Sequence, residues 1–122
     1  MNIQNTNKLV NDYPRIFPEP FYFECEDGWF DLIFNLCSEI DIECKRLNLE
    51  ANKWTKATQI KQKYGTLRFY VNNYIDSVNQ LIEKAEKQSS SICEICGLPG
   101  KTNDDYGWIR TCCKICEANS NK

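Results

Sequence analysis

Two short cysteine pairs, Cys93-Glu-Ile-Cys96 and Cys113-Lys-Ile-Cys116, carry the clearest chemistry in the chain. Each C-x2-C unit can place two thiolates on one tight turn, and the sixteen residues between the pairs fall within the spacing of a four-thiolate zinc site. Gly97, directly after the first pair, permits the backbone conformation such a knuckle needs. Four thiolates fill a tetrahedron and leave no position for water, so the spacing predicts structural rather than catalytic Zn2+. Cys112 adjoins Cys113 and could replace it, but C-x3-C suits the paired arrangement less well. The expected ligands are therefore Cys93, Cys96, Cys113 and Cys116. A redox dithiol at Cys93 and Cys96 is the weaker reading, because no βαβ pattern surrounds them.

The other cysteines have plainer readings. Cys37 and Cys44 lie seven apart on an apolar stripe and are expected to pack as small hydrophobes. Cys25, near a turn, could be exposed. The 8 Cys stand beside 0 His in 122 residues, which excludes a histidine general base, a Ser-His-Asp or Cys-His nucleophile and any His-ligated metal.

A second candidate site is basic and aromatic. From Glu19 to Glu50 nine acids face two bases, whereas Ala51 to Ile75 contains no acid and five bases, Lys53, Lys56, Lys61, Lys63 and Arg68. The formal charge of -2 thus averages an acidic third with a basic one. Lys61, Lys63, Tyr64, Arg68 and Tyr70 combine a planar guanidinium fork, two point charges and rings on which a base can stack, the ingredients of a nucleotide-type site. The plain alternative is a solvated outer sheet face, or one neutralised by the acids of a neighbouring helix.

These residues need elements to hold them. Residues 1–24 carry Pro14, Pro18 and Pro20 among bulky aromatics and read as an extended arm with little regular structure, pinned to the core by its rings. After Asp27, a good N-cap, Trp29, Phe30, Ile33, Leu36, Cys37, Ile40, Cys44 and Leu47 recur at helical steps and predict a helix over about residues 28 to 47. Trp54, in the connector, is expected to pack. Residues 58–71 alternate and break at Gly65, which predicts a β-hairpin with Ile60, Leu67, Phe69 and Val71 inward and Lys61, Lys63, Arg68 and Tyr70 outward. Asn73 is a reasonable cap for a second helix carrying Ile75, Val78, Ile82 and Ala85, which ends at Ser89-Ser90-Ser91. Tyr106-Gly-Trp-Ile-Arg suggests a short strand after a turn at Asn103-Asp104-Asp105. The expected fold is α+β, two helices on a small antiparallel hairpin sheet with a C-terminal zinc ribbon. Its divisions are an arm (1–24), a core (25–90) and the ribbon module (91–122).

The polar N-terminus and the lack of any run near ~20 apolar residues predict a cytoplasmic chain without a signal peptide or membrane span. In such a chain cysteines serve metal binding and buried thiols before disulfides.

Gly28-Trp-Phe-Asp-Leu-Ile33, Ile60-Lys-Gln-Lys-Tyr-Gly-Thr-Leu-Arg-Phe-Tyr70, Cys93-Glu-Ile-Cys-Gly-Leu-Pro-Gly100 and Trp108-Ile-Arg-Thr-Cys-Cys113 together resemble a family of small, largely uncharacterised phage and prophage proteins, over about residues 25 to 117. The resemblance implies a compact domain with a C-terminal Cys-rich zinc motif. In that family the last ligand can be His, a place held here by Cys116, and the position before the third ligand is apolar, which makes Cys112 a departure and a non-ligand. It also implies a phage origin, and with it host cytoplasm.

Three functions follow as expectations. The first is a non-enzymatic counter-defence binder of a nucleotide-like phosphorylated signal or a host defence protein, through Lys61, Lys63, Arg68 and aromatic rings. The second is a zinc ribbon that contacts nucleic acid or the transcription machinery, disfavoured because four thiolates and one Zn2+ add about two further negative charges to the chain. The third is an enzyme using Glu24, Glu26 or Asp31 near Trp29, disfavoured because nothing pairs those acids with a phosphate loop or an open metal site.

Overall fold

A computed structural model describes residues 1–104 and 109–120 and is α+β, with a C-terminal cysteine cluster compatible with a zinc ribbon. The strongest helical pattern forms as expected. A 3-10 turn, Asp27–Trp29, leads into α2 (Phe30–Arg46), and Trp29, Ile33, Leu36, Cys37, Ile40 and Cys44 are all buried along one stripe. An earlier helix, α1 (Ile3–Asp12), precedes it in the chain. Asp27 does not cap α2. Its carboxylate instead accepts from the backbone N–H of Asn2 at 2.7 Å and the side-chain amide of Asn5 at 3.1 Å.

Those bonds belong to the main departure from the sequence reading. Within residues 1–24, expected to be an extended arm, Ile3–Asp12 forms α1, capped by the Asn2 side chain, which accepts from the Asn5 N–H at 2.8 Å. The prolines start only at Pro14, after the helix has ended. The helix is mostly polar and buries only Leu9 and Val10, so tertiary bonds rather than a broad apolar stripe hold it. The aromatic pinning does occur: Phe17 touches Phe21, Phe23 and Phe69, and Tyr13 meets Phe34 of α2 edge-on at 5.2 Å. The Asn2 amide bond holds the Asp27 carboxyl below its ordinary value. This contribution is fully present above the unfolded carboxylate range of about 4 and is lost as pH falls through the lower folded value. Asp27→Ala is expected to cost about 1 kcal/mol and to speed amide exchange in α1 selectively at pH 7; unchanged exchange there would refute the anchor.

The predicted hairpin is β2 (Lys56–Lys63) and β3 (Thr66–Asn72), with Ile60 opposite Phe69 and Lys61 opposite Arg68. Tyr64 and Gly65 take φ of 53° and 85°, the double left-handed step of a type I′ turn. A bulge at Thr58 separates the Ala57 and Gln59 pairings. The sheet gains a third strand, β1 (Phe23–Glu24), which runs parallel to β2 with Phe23 opposite Ile60 and Glu24 opposite Lys61. Ala57, Ile60, Leu67 and Phe69 are buried against the helices.

Helix α3 (Asp76–Ser89) buries Val78, Ile82 and Ala85 and packs on both α2 and β3. It also covers the outer edge of β3: Ser89 Oγ accepts from the Leu67 N–H, and Glu86 accepts from the Phe69 N–H, both at 2.9 Å. The residue before α3 is Ile75, without a side-chain cap. Asn73 sits at φ 54° and uses its amide to donate to the carbonyls of Asn52 and Trp54, fastening the connector in which Trp54 is buried.

The C-terminal segment adds an antiparallel pair, β4 (Lys101–Asn103) and β5 (Arg110–Cys112), and a short helix, α4 (Lys114–Ser120). The expectations for Tyr106 and Trp108 lie outside the described residues. Among those described, no helix is long and apolar enough to cross a membrane.

Candidate metal centre and ligand face

The two C-x2-C units converge. The Sγ atoms of Cys93, Cys96, Cys113 and Cys116 all lie within 4.8 Å of one another, and Cys96 and Cys113 are 3.6 Å apart. A Zn–S bond of ~2.3 Å puts the corners of a tetrahedron about 3.8 Å apart, so the group has the size of a metal-thiolate site. Each pair is bent by its own backbone bond. The Gly97 N–H donates to the Cys93 carbonyl at 2.9 Å with Gly97 at φ 82°, and the Cys116 N–H points at Cys113 Sγ at 3.4 Å.

The electrostatics fit ligands for a cation. Burial opposes charge on Cys93, but the backbone N–H groups of Cys113, Cys96 and Ile95 aim at its sulfur and bring the thiol down to about 6. At Cys96 the Leu98 amide favours the thiolate, yet burial and the thiols of Cys113 and Cys93 together push it up. Burial and the same neighbours raise Cys116. Four sulfurs this close oppose one another's ionisation unless a cation sits among them.

The remaining thiols are set apart from this cluster. Cys112 is buried on β5, outside the group of four close sulfurs, and is pushed up to about 11 by burial and by Cys93. Cys37 and Cys44 are buried in the α2 stripe. Cys25 is not exposed: it is buried, with its thiol raised to about 12 by that burial, and its carbonyl accepts from the N-terminal ammonium at 2.6 Å.

The cluster is seated on the core by bonds that cysteine spacing could not show. Trp29 Nε1 donates to the Ile92 carbonyl at 2.9 Å, the Gly28 N–H to the Glu94 carbonyl at 2.6 Å, and the Glu26 N–H to the Glu94 carboxylate at 3.1 Å. A Cβ on Gly28 would overlap the backbone oxygens of Cys93 and Glu94. On the other side, fully buried Thr111 donates to the Gly65 carbonyl at 2.6 Å, and Gln62 donates to the Ile109 carbonyl at 3.0 Å. The first knuckle thus rests on the start of α2, and β5 rests on the hairpin turn. The sequence signal for the first contact was the Gly28-Trp29 pair, read only as the beginning of a helix.

The second candidate site is brought together in part. Lys61 and Arg68 face each other on the outer side of the sheet, Tyr70 lies two pairs further on, opposite Gln59, and Lys63 is opposite Thr66. Tyr64 sits in the turn, exposed, with the Lys63 ammonium 5.7 Å from its ring centre. Two of the four acids of α2 are engaged along their own helix, Asp41 with Lys45 and Glu43 with Arg46. Among the described residues, no carboxylate lies within 4.0 Å of the charged nitrogens of Lys61, Lys63 or Arg68. A groove of about 510 Å³ borders the same face, lined by Pro20, Phe21, Tyr22, Glu24, Thr58 and Gln59. None of those six was a sequence candidate for this face, since β1 leaves only two strand residues in an aromatic run.

No protein-family model matches the chain, no curated protein is similar to it, and no solved structure matches it.

Proposed function

We propose that this protein is a zinc-stapled, non-enzymatic binding module whose outer sheet face takes a phosphorylated, base-bearing ligand of the nucleotide class. The observation that carries the reading is the set of three cations, Lys61, Lys63 and Arg68, left without carboxylate partners among the described residues and flanked by the exposed rings of Tyr64 and Tyr70. The Arg fork matches phosphate oxygens, the lysines add point charge, and the rings offer stacking surface. Zn2+ is the metal favoured by four thiolates at this spacing, and a closed tetrahedron suits a structural role. In a phage-borne chain, such a face would serve to sequester a host signal.

Calorimetry of the metal-loaded protein with a panel of linear and cyclic nucleotides is expected to show binding that Arg68→Ala weakens ~10- to 100-fold, the range of a lost charge-assisted hydrogen bond. No binding anywhere in the panel would overturn the reading. The open, shallow form of the face favours one second reading, a short single-stranded nucleic acid. In that case, affinity for oligonucleotides would exceed that for mononucleotides and fall steeply with salt.

A further inference from the structure

The groove beside the cationic pair contains a polar device with a fixed orientation. Gln59 Nε2 donates to Glu24 Oε2 at 2.7 Å, across the parallel pairing of β1 with β2. A carboxylate can only accept, so the nitrogen of the Gln59 amide must face Glu24 and its carbonyl oxygen must face away. No protein donor among the described residues reaches Gln59 Oε1 or Glu24 Oε1. The groove therefore presents two acceptors.

Its surroundings suit a planar group. Tyr22, 77% exposed, forms one wall of the groove, and Tyr70, 41% exposed, stands opposite Gln59 on the next strand. Lys61 is two residues beyond Gln59 on the same face of β2, about 6.6 Å along the strand, and Arg68 stands directly opposite it. Gln59 Oε1 and the rings lie about 6.6 Å along the strand from Lys61 and Arg68, an order that matches base, ribose and phosphate, while Glu24 stands beside Lys61 across the β1–β2 pairing. A groove of about 510 Å³ is within the usual size of a small-ligand site.

We propose that this groove is the base-recognition subsite of the ligand face, and that Gln59, held by Glu24, selects bases bearing an exocyclic amino group (adenine, cytosine or guanine) against uracil. An amino group donates to Gln59 Oε1 and Glu24 Oε1, whereas the uracil carbonyls in the same place would oppose oxygen to oxygen. The single N3–H of uracil lies between two carbonyls and cannot serve both acceptors as the two hydrogens of an amino group can, so a site built for two donors discriminates against it. This inference rests on the nucleotide reading above.

The test measures affinities of AMP, CMP, GMP and UMP for the metal-loaded protein and for two variants, Gln59→Leu and Glu24→Gln, each first checked for an unchanged thermal midpoint. At least one of the three amino-bearing nucleotides is expected to bind tenfold or more tightly than UMP. Gln59→Leu should reduce that difference to within threefold, and Glu24→Gln should do the same by freeing the Gln59 amide to turn over. The second variant retains a polar groove, so it decides the matter if Gln59→Leu disturbs the strand. Equal affinity for all four nucleotides, or discrimination that survives in a folded variant, would refute the subsite and leave the cationic face standing. Absence of binding by all four and by the wider panel would remove both.

Discussion

Chelation of the metal is expected to lower the thermal midpoint by at least ~10 °C and to expose amides on both sides of the seam between the cysteine cluster and the core. Structural zinc contributes about 10–16 kcal/mol in zinc-finger peptides, as much as the whole stability of an ordinary domain. Losing even ~3 kcal/mol would shift the midpoint of a chain this size by roughly 10 °C. Spacing alone places the damage in at least residues 91–122. The bonds from Trp29 to Ile92, Gly28 to Glu94 and Thr111 to Gly65 extend it to the first turn of α2 and to the hairpin turn. Hydrogen exchange before and after chelation would locate it. Cys96→Ser is a sharp companion test, because Cys96 is exposed and a serine there disturbs no packing. Its destabilisation would report the lost ligand. One zinc per chain by elemental analysis is the matching result, whereas a zinc-free protein with an unchanged midpoint would remove the site.

Gly28→Ala is expected to destabilise the protein by about 3 kcal/mol or more, an unusual cost for adding one methyl group. The Cβ would occupy the space of the Cys93 and Glu94 carbonyl oxygens, which are backbone atoms of the first knuckle and cannot swing aside as a side chain can. Relief requires the knuckle to lift from α2, breaking the Gly28 and Trp29 bonds and opening a path to the indole, which is otherwise fully buried. Denaturant unfolding would measure the loss, and near-ultraviolet circular dichroism would report the packing of the indole. A change within ~0.5 kcal/mol would show that the seam is looser than described.

The residues that were legible in the sequence were those whose pattern is local. The stripe from Trp29 to Cys44, the Gly65 turn and the cysteine spacing each follow from periodicity, turn chemistry or ligand geometry, and each sits where that physics places it. Residues whose bonds cross the chain were not legible. Asp27 has a cap's chemistry but serves α1, 25 residues away, and Asn73 ties down the connector rather than starting α3. Helix α1 was not expected because the prolines and rings from Tyr13 to Phe23, which all follow it, governed the reading of the whole segment. Strand β1 was missed because two residues carry no alternation. Consequently Tyr22 and Glu24, which line the groove beside Gln59, could be placed on the ligand face only from the fold.

The seam at Trp29 also bears on the order of synthesis. Ile92, which receives the indole N–H, lies 63 residues downstream, and the knuckle that follows it must gather thiolates from beyond Thr111. Contacts of such separation form late, because the intervening chain must be closed into a loop before they contribute. A nascent chain that already holds α1, α2 and the hairpin therefore has an open flank at the root of its longest helix until the last cysteine pair has been made. If the cluster holds a metal as proposed, metal supply during translation would set how long that flank is available to chaperones and proteases.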